Sequence, residues 1–233
     1  MVATMLAGKA ARDSRRLVWR LTWMTMCALM LAGCFGGGGE RKDPLADAVW
    51  SFGSDAIMLE IVADPGLNVY QDQPHTLLLG IYEATDAQAF RDLVADSGAL
   101  AASLAAGKAP QQVVQLTRHV VLPGQHSLLI LDRAQNARTV GLVAGYAQTG
   151  AARSARQFDI PLNVTSTGWI FKTHTAAPGP LVIRVNLGVQ SVVNAQVLPS
   201  IPDGVDLKRA RPVEGGKEIA LAPGSASSDR PQD

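Results

Sequence analysis

The chain has 233 residues, of which 21 are basic and 20 acidic, for a formal net charge of +1. So even a balance leaves no basic surface of the kind that holds nucleic acid. The sequence has only two cysteines, Cys27 and Cys34, and neither is placed to staple a domain, so the fold has to hold by its apolar core alone.

The amino-terminal segment has the three-part layout of a bacterial secretory signal. A basic stretch (Lys9, Arg12, Arg15, Arg16, Arg20) precedes an apolar run over 21–32, and small residues then lead to a cysteine. Leu31-Ala32-Gly33-Cys34 resembles a lipobox, in which the cysteine sulfur takes a diacylglycerol, the Gly33–Cys34 bond is cut and the new amino terminus is acylated. A thiol suits this chemistry because its thiolate is the strongest common side-chain nucleophile for forming a thioether. The small Ala32 and Gly33 let a peptidase approach. Length argues against a transmembrane helix: a span needs about 20 apolar residues, whereas this run is bounded by Arg20 and followed by Phe35 and four glycines. Ser14-Arg15-Arg16 also has the form of a twin-arginine signal, so the export route stays open. Removing 1–33 takes away five basic residues and one acidic, leaving a net charge of −3 and a single cysteine that lipid would consume.

Residues 34–54 read as a lipidated tether, Gly-rich and charged, with Pro44 and no apolar period. The folded domain is expected over 55–202. Ile57, Leu59 and Ile61 fall on one face of an extended strand. Residues 64–74 (Asp64-Pro65-Gly66-Leu67-Asn68-Val69-Tyr70-Gln71-Asp72-Gln73-Pro74) are dense in turn formers and predict a long exposed loop. A second strand is expected over 75–82. Thr85 to Gln88 then has the form of a capping box with Thr85 as the N-cap, and Phe90, Leu93 and Val94 come next at helical spacing. A second short helix carries Leu100 and Leu104 and stops at Gly107. Past Pro110 the period changes to two. Strands are expected at 113–122, 128–131, 140–146, 156–164, 169–173, 181–187 and 192–198, with Pro123-Gly124 turning between the first two. Roughly eight or nine short strands with two inserted helices make a mainly β, antiparallel sandwich. Trp50, Phe52, Trp169 and Phe171 read as core, because each pair alternates as a strand does. The charged stretch over 203–233, with only scattered apolar residues, predicts a disordered tail.

No chemistry announces itself along this chain. His75, His119, His126 and His174 share no metal spacing; His119 and His126 flank a turn and His75 opens a strand, so these three read as exposed imidazoles. There is no GxSxG, Walker loop or GxGxxG. Asp64, Asp72, Glu83 and Asp86 gather near the long loop and read as surface carboxylates. The expectation is therefore no catalytic residue, no metal, no cofactor beyond the lipid on Cys34, and no small-molecule substrate.

With these elements in hand, the middle of the chain resembles the outer-membrane lipoprotein of the type VI secretion system, the TssJ family. The residues that carry the resemblance are Ala56-Ile57, Leu67-Asn68, His75-Thr76-Leu77, Ile81-Tyr82, Ala89-Phe90, Pro123-Gly124, Leu131-Asp132-Arg133-Ala134 and Val143-Ala144-Gly145-Tyr146, across about 48–198. Glu83-Ala84 departs from the usual Gln-Leu pair, and the tail after Ile201 is long. The resemblance implies a transthyretin-like sandwich with a short inserted helical segment, anchored in the inner leaflet of the outer membrane. It also implies a partner, the periplasmic domain of the inner-membrane protein TssM, contacted through the long loop at Leu67, Asn68, Tyr70 and Gln71. Phe35 after the lipid cysteine leans the same way, because in the enterobacterial sorting rule an Asp there retains a lipoprotein in the inner membrane.

The loop reading also has a physical basis. Leu67, Val69 and Tyr70 in an exposed loop would leave apolar surface open unless a partner covers it; the alternative is that they fold back on the sandwich. Two other functions stay open, a periplasmic lipoprotein that holds a small ligand or inhibits an enzyme, and, ranked last, a cell-envelope hydrolase. Cys34→Ala, produced without residues 1–33, is expected to yield a folded protein in the soluble fraction. Its recovery with membranes at the wild-type level would remove Cys34 as the anchor.

Overall fold

The computed structural model describes residue 45 and residues 48–111, 113–169 and 173–221. Residues 1–33, Cys34 and most of the tether lie outside the described residues, as does Phe171.

The first strand, β1 (Gly53–Ala63), sets the frame. Ile57, Leu59 and Ile61 point to one face and are buried, as the period of two requires. β1 pairs antiparallel with β4 (His126–Arg133) on one side and parallel with β9 (Leu181–Leu187) on the other. β10 (Val192–Leu198) lies beyond β9, while β12 (Gly216–Ala220) and then β11 (Arg211–Val213) lie beyond β4. One sheet thus runs β10-β9-β1-β4-β12-β11. The opposing sheet is built from β2 (Leu77–Ala84), β3 (Val113–Val121), β5 (Thr139–Gly145) and β6 (Ala155–Asp159), in the order β3-β2-β5-β6. Inward rows from both sheets, including Leu77, Leu79, Ile81, Leu129, Leu142, Ile183 and Val185, form the principal core. The expectation of a mainly β sandwich holds. The exception to antiparallel pairing is β1 with β9: both strands start at the same end, after connections that cross from elsewhere.

The helical insertion covers the outer face of the four-stranded sheet. α1 (Ala87–Ala95) and α2 (Ser97–Ala106) bury Phe90, Leu93, Leu100 and Leu104 against Tyr82 and Val143. Each such side chain contributes about 2 kcal/mol. The rings of Tyr82 and Phe90 lie 5.9 Å apart at 47°. The strand beneath carries Gly141, because a Cβ there would fall inside the Phe90 ring. α1 is capped by Asp86, whose carboxylate accepts from the Ala89 amide at 2.8 Å. The sequence placed the cap one residue early, at Thr85; a carboxylate is the better acceptor and also suits the positive end of the helix dipole. α2 ends at Gly107 in the left-handed region (φ 67°), as expected.

Four further expectations need correction. The run over 156–164 is split into β6 and β7 (Leu162–Thr167), with Pro161, which has no N–H to give a ladder, between them. β7 pairs with β8 (Thr173–Pro178) as a separate two-stranded ribbon. Trp169 is not core: it is 95% exposed at the ribbon's tip, and Phe52 is also exposed. Finally, 203–221 is ordered. The chain leaves β10, crosses the outer face of the six-stranded sheet and returns as the hairpin of β11 and β12, with β12 paired to β4.

This strap is held by burial. Met58, Leu128, Ile130 and Val182, on the outer faces of β1, β4 and β9, meet Ile219, with Ile201, Val205, Ala210 and Leu221 packed around them. Its apolar residues show no period because they belong to an irregular crossing. Glu218 reaches between the sheets, accepting from Gln125 at 2.7 Å and lying 3.3 Å from His119 Nε2. His119 is thus buried rather than an exposed imidazole. Ile219→Ala is expected to cost about 2 kcal/mol or more, read by urea unfolding. An unchanged midpoint would mean that the strap rides on the sheet without stabilising it.

Candidate functional site

The direction of β1 gives the sandwich two distinct ends. β1 ends at Ala63, where the loop over 64–76 begins, and at the same end lie the segment 146–150 after β5 and the turn 188–191 after β9. Backbone and side-chain hydrogen bonds knit the three. The Val69 amide donates to Val189 O (3.1 Å), Gln148 Nε2 to Val69 O (3.3 Å) and Thr149 Oγ1 to Gln190 O (2.8 Å). The Tyr146 hydroxyl donates to Gly188 O and Ser191 O at 3.1 and 2.8 Å, and burial pushes its pKa up to about 12, so it stays a donor.

Within the loop the four residues named from sequence divide in two. Leu67 is fully buried in the principal core. Asn68, also buried, donates from Nδ2 to Thr76 O and accepts at Oδ1 from the Ala147 amide, both at 2.8 Å. The expectation that Leu67 is exposed is therefore corrected: it is the plug that fixes the loop, and folding back is what this side chain does. Tyr70 and Gln71 point the other way. Tyr70 is 48% exposed, its ring 6.2 Å from His75, whose Nε2 lies 3.2 Å from Tyr70 O. Asn68, Gln71 and Asp72 all have positive φ (52°, 50° and 60°), a conformation in which a non-glycine side chain is held at some cost. A loop with three such residues is set in one shape by its anchors. Beside it lies an open groove of about 360 Å³, lined by Leu78, Ala101, Leu104, Ala105 and Tyr146.

The opposite end receives the tether. Trp50 is buried, so the core begins before residue 55. The Asn136 amide donates to Trp50 O (2.8 Å), Arg138 sits 5.5 Å over the Trp50 ring, and Arg133 Nη2 donates to Ser51 O (2.8 Å). Glu83, read as a surface carboxylate, is buried here and accepts from the Ala134 amide at 2.7 Å. The β7–β8 ribbon is rooted at the same end: the Ile160 amide donates to Arg138 O (2.9 Å) and the Gly179 amide to Pro161 O (2.8 Å).

Among the described residues no group of three His, Cys, Asp or Glu side chains comes together to hold a metal ion, and no helix is long and apolar enough to cross a membrane. The matching family model, described as type VI secretion lipoprotein, VasD, EvfM, TssJ, VC_A0113, covers residues 55–188. This chain belongs to that family. No curated protein matches the sequence. Solved structures similar to it include the T6SS lipoprotein TssJ1 from Pseudomonas aeruginosa, at 21% identity over 65% of this chain and 98% of the other, with a TM-score of 0.45. Another is Serratia marcescens Lip, a membrane bound component of the type VI secretion system, at 19% identity over 65% and 99%, TM-score 0.40. A third is a chain in the structure of the TssM C-terminal domain from EAEC, at 15% identity over 62% and 98%, TM-score 0.41.

The segment matching the type VI secretion lipoprotein family runs from β1 to the turn after β9, so it holds the loop over 64–76, the helices and the ribbon; the strap lies beyond it. Two charged side chains inside it, Glu60 and Arg184, and the setting of His126 escaped the sequence reading. On the outer face of the six-stranded sheet, buried Glu60 lies with Oε1 3.0 Å from His126 Nε2 and accepts from Arg184 Nε at 2.7 Å through Oε2. His126 is thus an ion-pair neighbour rather than an exposed imidazole. The available clue was Glu60 itself, one acid amid an apolar strand, which must find a partner.

Burial pushes Glu83 up to about 7 from its ordinary 4.5, against the opposing pull of the Ala134 amide and Arg133. A raised carboxyl pKa favours the neutral form in the fold, so this contribution is complete below 4.5 and is lost as pH rises through about 7. Glu83→Gln is expected to gain up to a few kcal/mol over wild type at pH 8 and little at pH 4, measured by urea unfolding at both. An equal difference at both pH values would mean that Glu83 is not the titrating group.

Proposed function

We propose that the chain is a lipid-anchored structural component of the type VI secretion membrane complex. In this reading lipid on Cys34 holds it to the inner leaflet of the outer membrane, and the folded domain binds the periplasmic domain of a TssM-like inner-membrane protein. The contact is the loop over 64–76. The observation that carries it is the fixed presentation of a half-exposed Tyr70 by two buried anchors, Leu67 and Asn68. Aromatic side chains on rigid backbone make the strongest interface anchors, because little freedom is lost when they dock. Gln71 stands beside Tyr70, and the groove that Ala101 and Leu104 line is also lined by Gln148, which bonds the loop at Val69 O. Catalysis has no part in this reading.

The roles inside the loop differ, and that makes them separable. Tyr70→Ala is expected to weaken binding to the TssM periplasmic domain about tenfold or more without changing stability, read by calorimetry with the soluble Cys34→Ala chain. Leu67→Ala is expected to lower stability by about 2–5 kcal/mol, since it opens a cavity in the core. Unchanged affinity for Tyr70→Ala with an intact fold would move the contact away from this loop; no complex for the parent chain at tens of micromolar would sink the partner assignment.

A further inference from the structure

The end of the sandwich that receives the tether also carries the ribbon. β1 starts at Gly53 and β9 starts beside it, with Ile57 opposite Leu181. β6 arrives there too, with Asp159 opposite Thr139, the first residue of β5. The ribbon is inserted between the end of β6 and the start of β9. Leu162 packs partly against the core, and from Asn163 onward every residue of β7 is exposed. β7 and β8 pair with each other from Leu162↔Pro178 to Thr167↔Thr173 and join neither main sheet. That is a projection of about 20 Å. At its end Gly168 (φ 105°) turns the chain and leaves Trp169 95% exposed.

An isolated two-stranded ribbon is marginal in water, and an indole held almost wholly in solvent stabilises nothing in the free domain. Both facts point to a surface that meets the tip. Trp is the residue that favours the bilayer interface, its ring body among the upper acyl chains and its N–H among the headgroups. The rest of the ribbon suits a headgroup layer. Asn163, Thr165, Ser166 and Thr167 are uncharged hydrogen-bonding side chains, Thr165 and Thr175 hydroxyls lie 2.9 Å apart across it, and no acidic residue occurs from 160 to 202. Val49 and Phe52, also exposed, lie at the same end.

We propose that Trp169 is a lipid-contacting tip, seated in the headgroup region of the phospholipid bilayer that holds the chain. This rests on the reading of Cys34 as the lipid attachment site. The segment between Cys34 and Trp50 reaches at most about 55 Å when extended. The tip is thus kept close to the bilayer, and even a weak insertion is favoured by the resulting effective concentration. Two attachment points, lipid and indole, orient the sandwich so that the loop over 64–76 faces away from the membrane.

Beyond residue 34 the sequence has two tryptophans, Trp50 and Trp169, so the difference between wild type and Trp169→Phe isolates the emission of the tip. The lipidated full chain, purified from membranes, is placed in vesicles of phosphatidylethanolamine and phosphatidylglycerol. The soluble Cys34→Ala chain is the reference. On vesicles, iodide quenching of the Trp169 component is expected to fall about threefold or more, and acyl-brominated lipids are expected to quench it. Iodide quenching equal to that of the soluble chain, with no effect of brominated lipid, overturns the proposal. Mass spectrometry of the amino-terminal peptide reports lipidation independently. If Cys34 carries no lipid, the chain starting at Cys34 is coupled through that thiol to a maleimide-headgroup lipid and read in the same way, which separates failure of the anchor from failure of the tip. A tenfold loss of affinity for the TssM periplasmic domain in soluble Trp169→Ser assigns the tip to a protein interface instead, and overturns the proposal as well.

Discussion

Burial of β1 on both edges and both faces is the constraint on which the other elements depend. Its ladders to β4 and β9 leave no free edge, its inward row of Ile57, Leu59 and Ile61 fills the space between the sheets, and its outward Met58 is covered by the strap. A strand so enclosed accepts polar groups only with partners, which is why Glu60 comes with Arg184 and His126. The strand also fixes the axis of the molecule. Trp50 and the tether enter it at one end, and the loop over 64–76 leaves it at the other.

The buried charges are better understood as constraints on register than as sources of stability. Desolvating a carboxylate costs several kcal/mol, which its partners largely offset rather than exceed. Yet Glu60 finds Arg184 only when β1 and β9 pair in the observed register, where the two residues are opposite each other. A slip by one residue would leave an unpaired acid on a covered face and turn the apolar row outward. The parallel pair is the one that no hairpin specifies locally, so it gains most from such a marker.

Much of this was legible from the residues. Alternation gave β1 and β9, and helical spacing with a terminal glycine gave both helices, because in those places local pattern and burial agree. Legibility failed where burial is irregular. Ile201, Val205, Ala210 and Ile219 keep no period, since they come from a crossing over the outer face of the six-stranded sheet and from the short hairpin that extends its edge, so the strap resembled a disordered tail. Trp169 alternates with Phe171 as core residues do, yet the ribbon has no second layer to bury it. In the loop the residues alone do not tell the sides: Leu67 and Tyr70 are both apolar, and only the fold, with Asn68 bonded to Thr76 and Ala147, shows which is turned inward.

The parallel pairing of β1 with β9 carries a mechanical meaning. A pull applied between the tether and the loop over 64–76 runs along the axis of β1, because the strand leads from one to the other. Its hydrogen bonds to β4 and β9 then lie across the line of force and are strained together, in shear, instead of opening one after another from an edge. The ribbon and the strap branch off outside that line. Tension therefore passes through the best-connected strand of the protein.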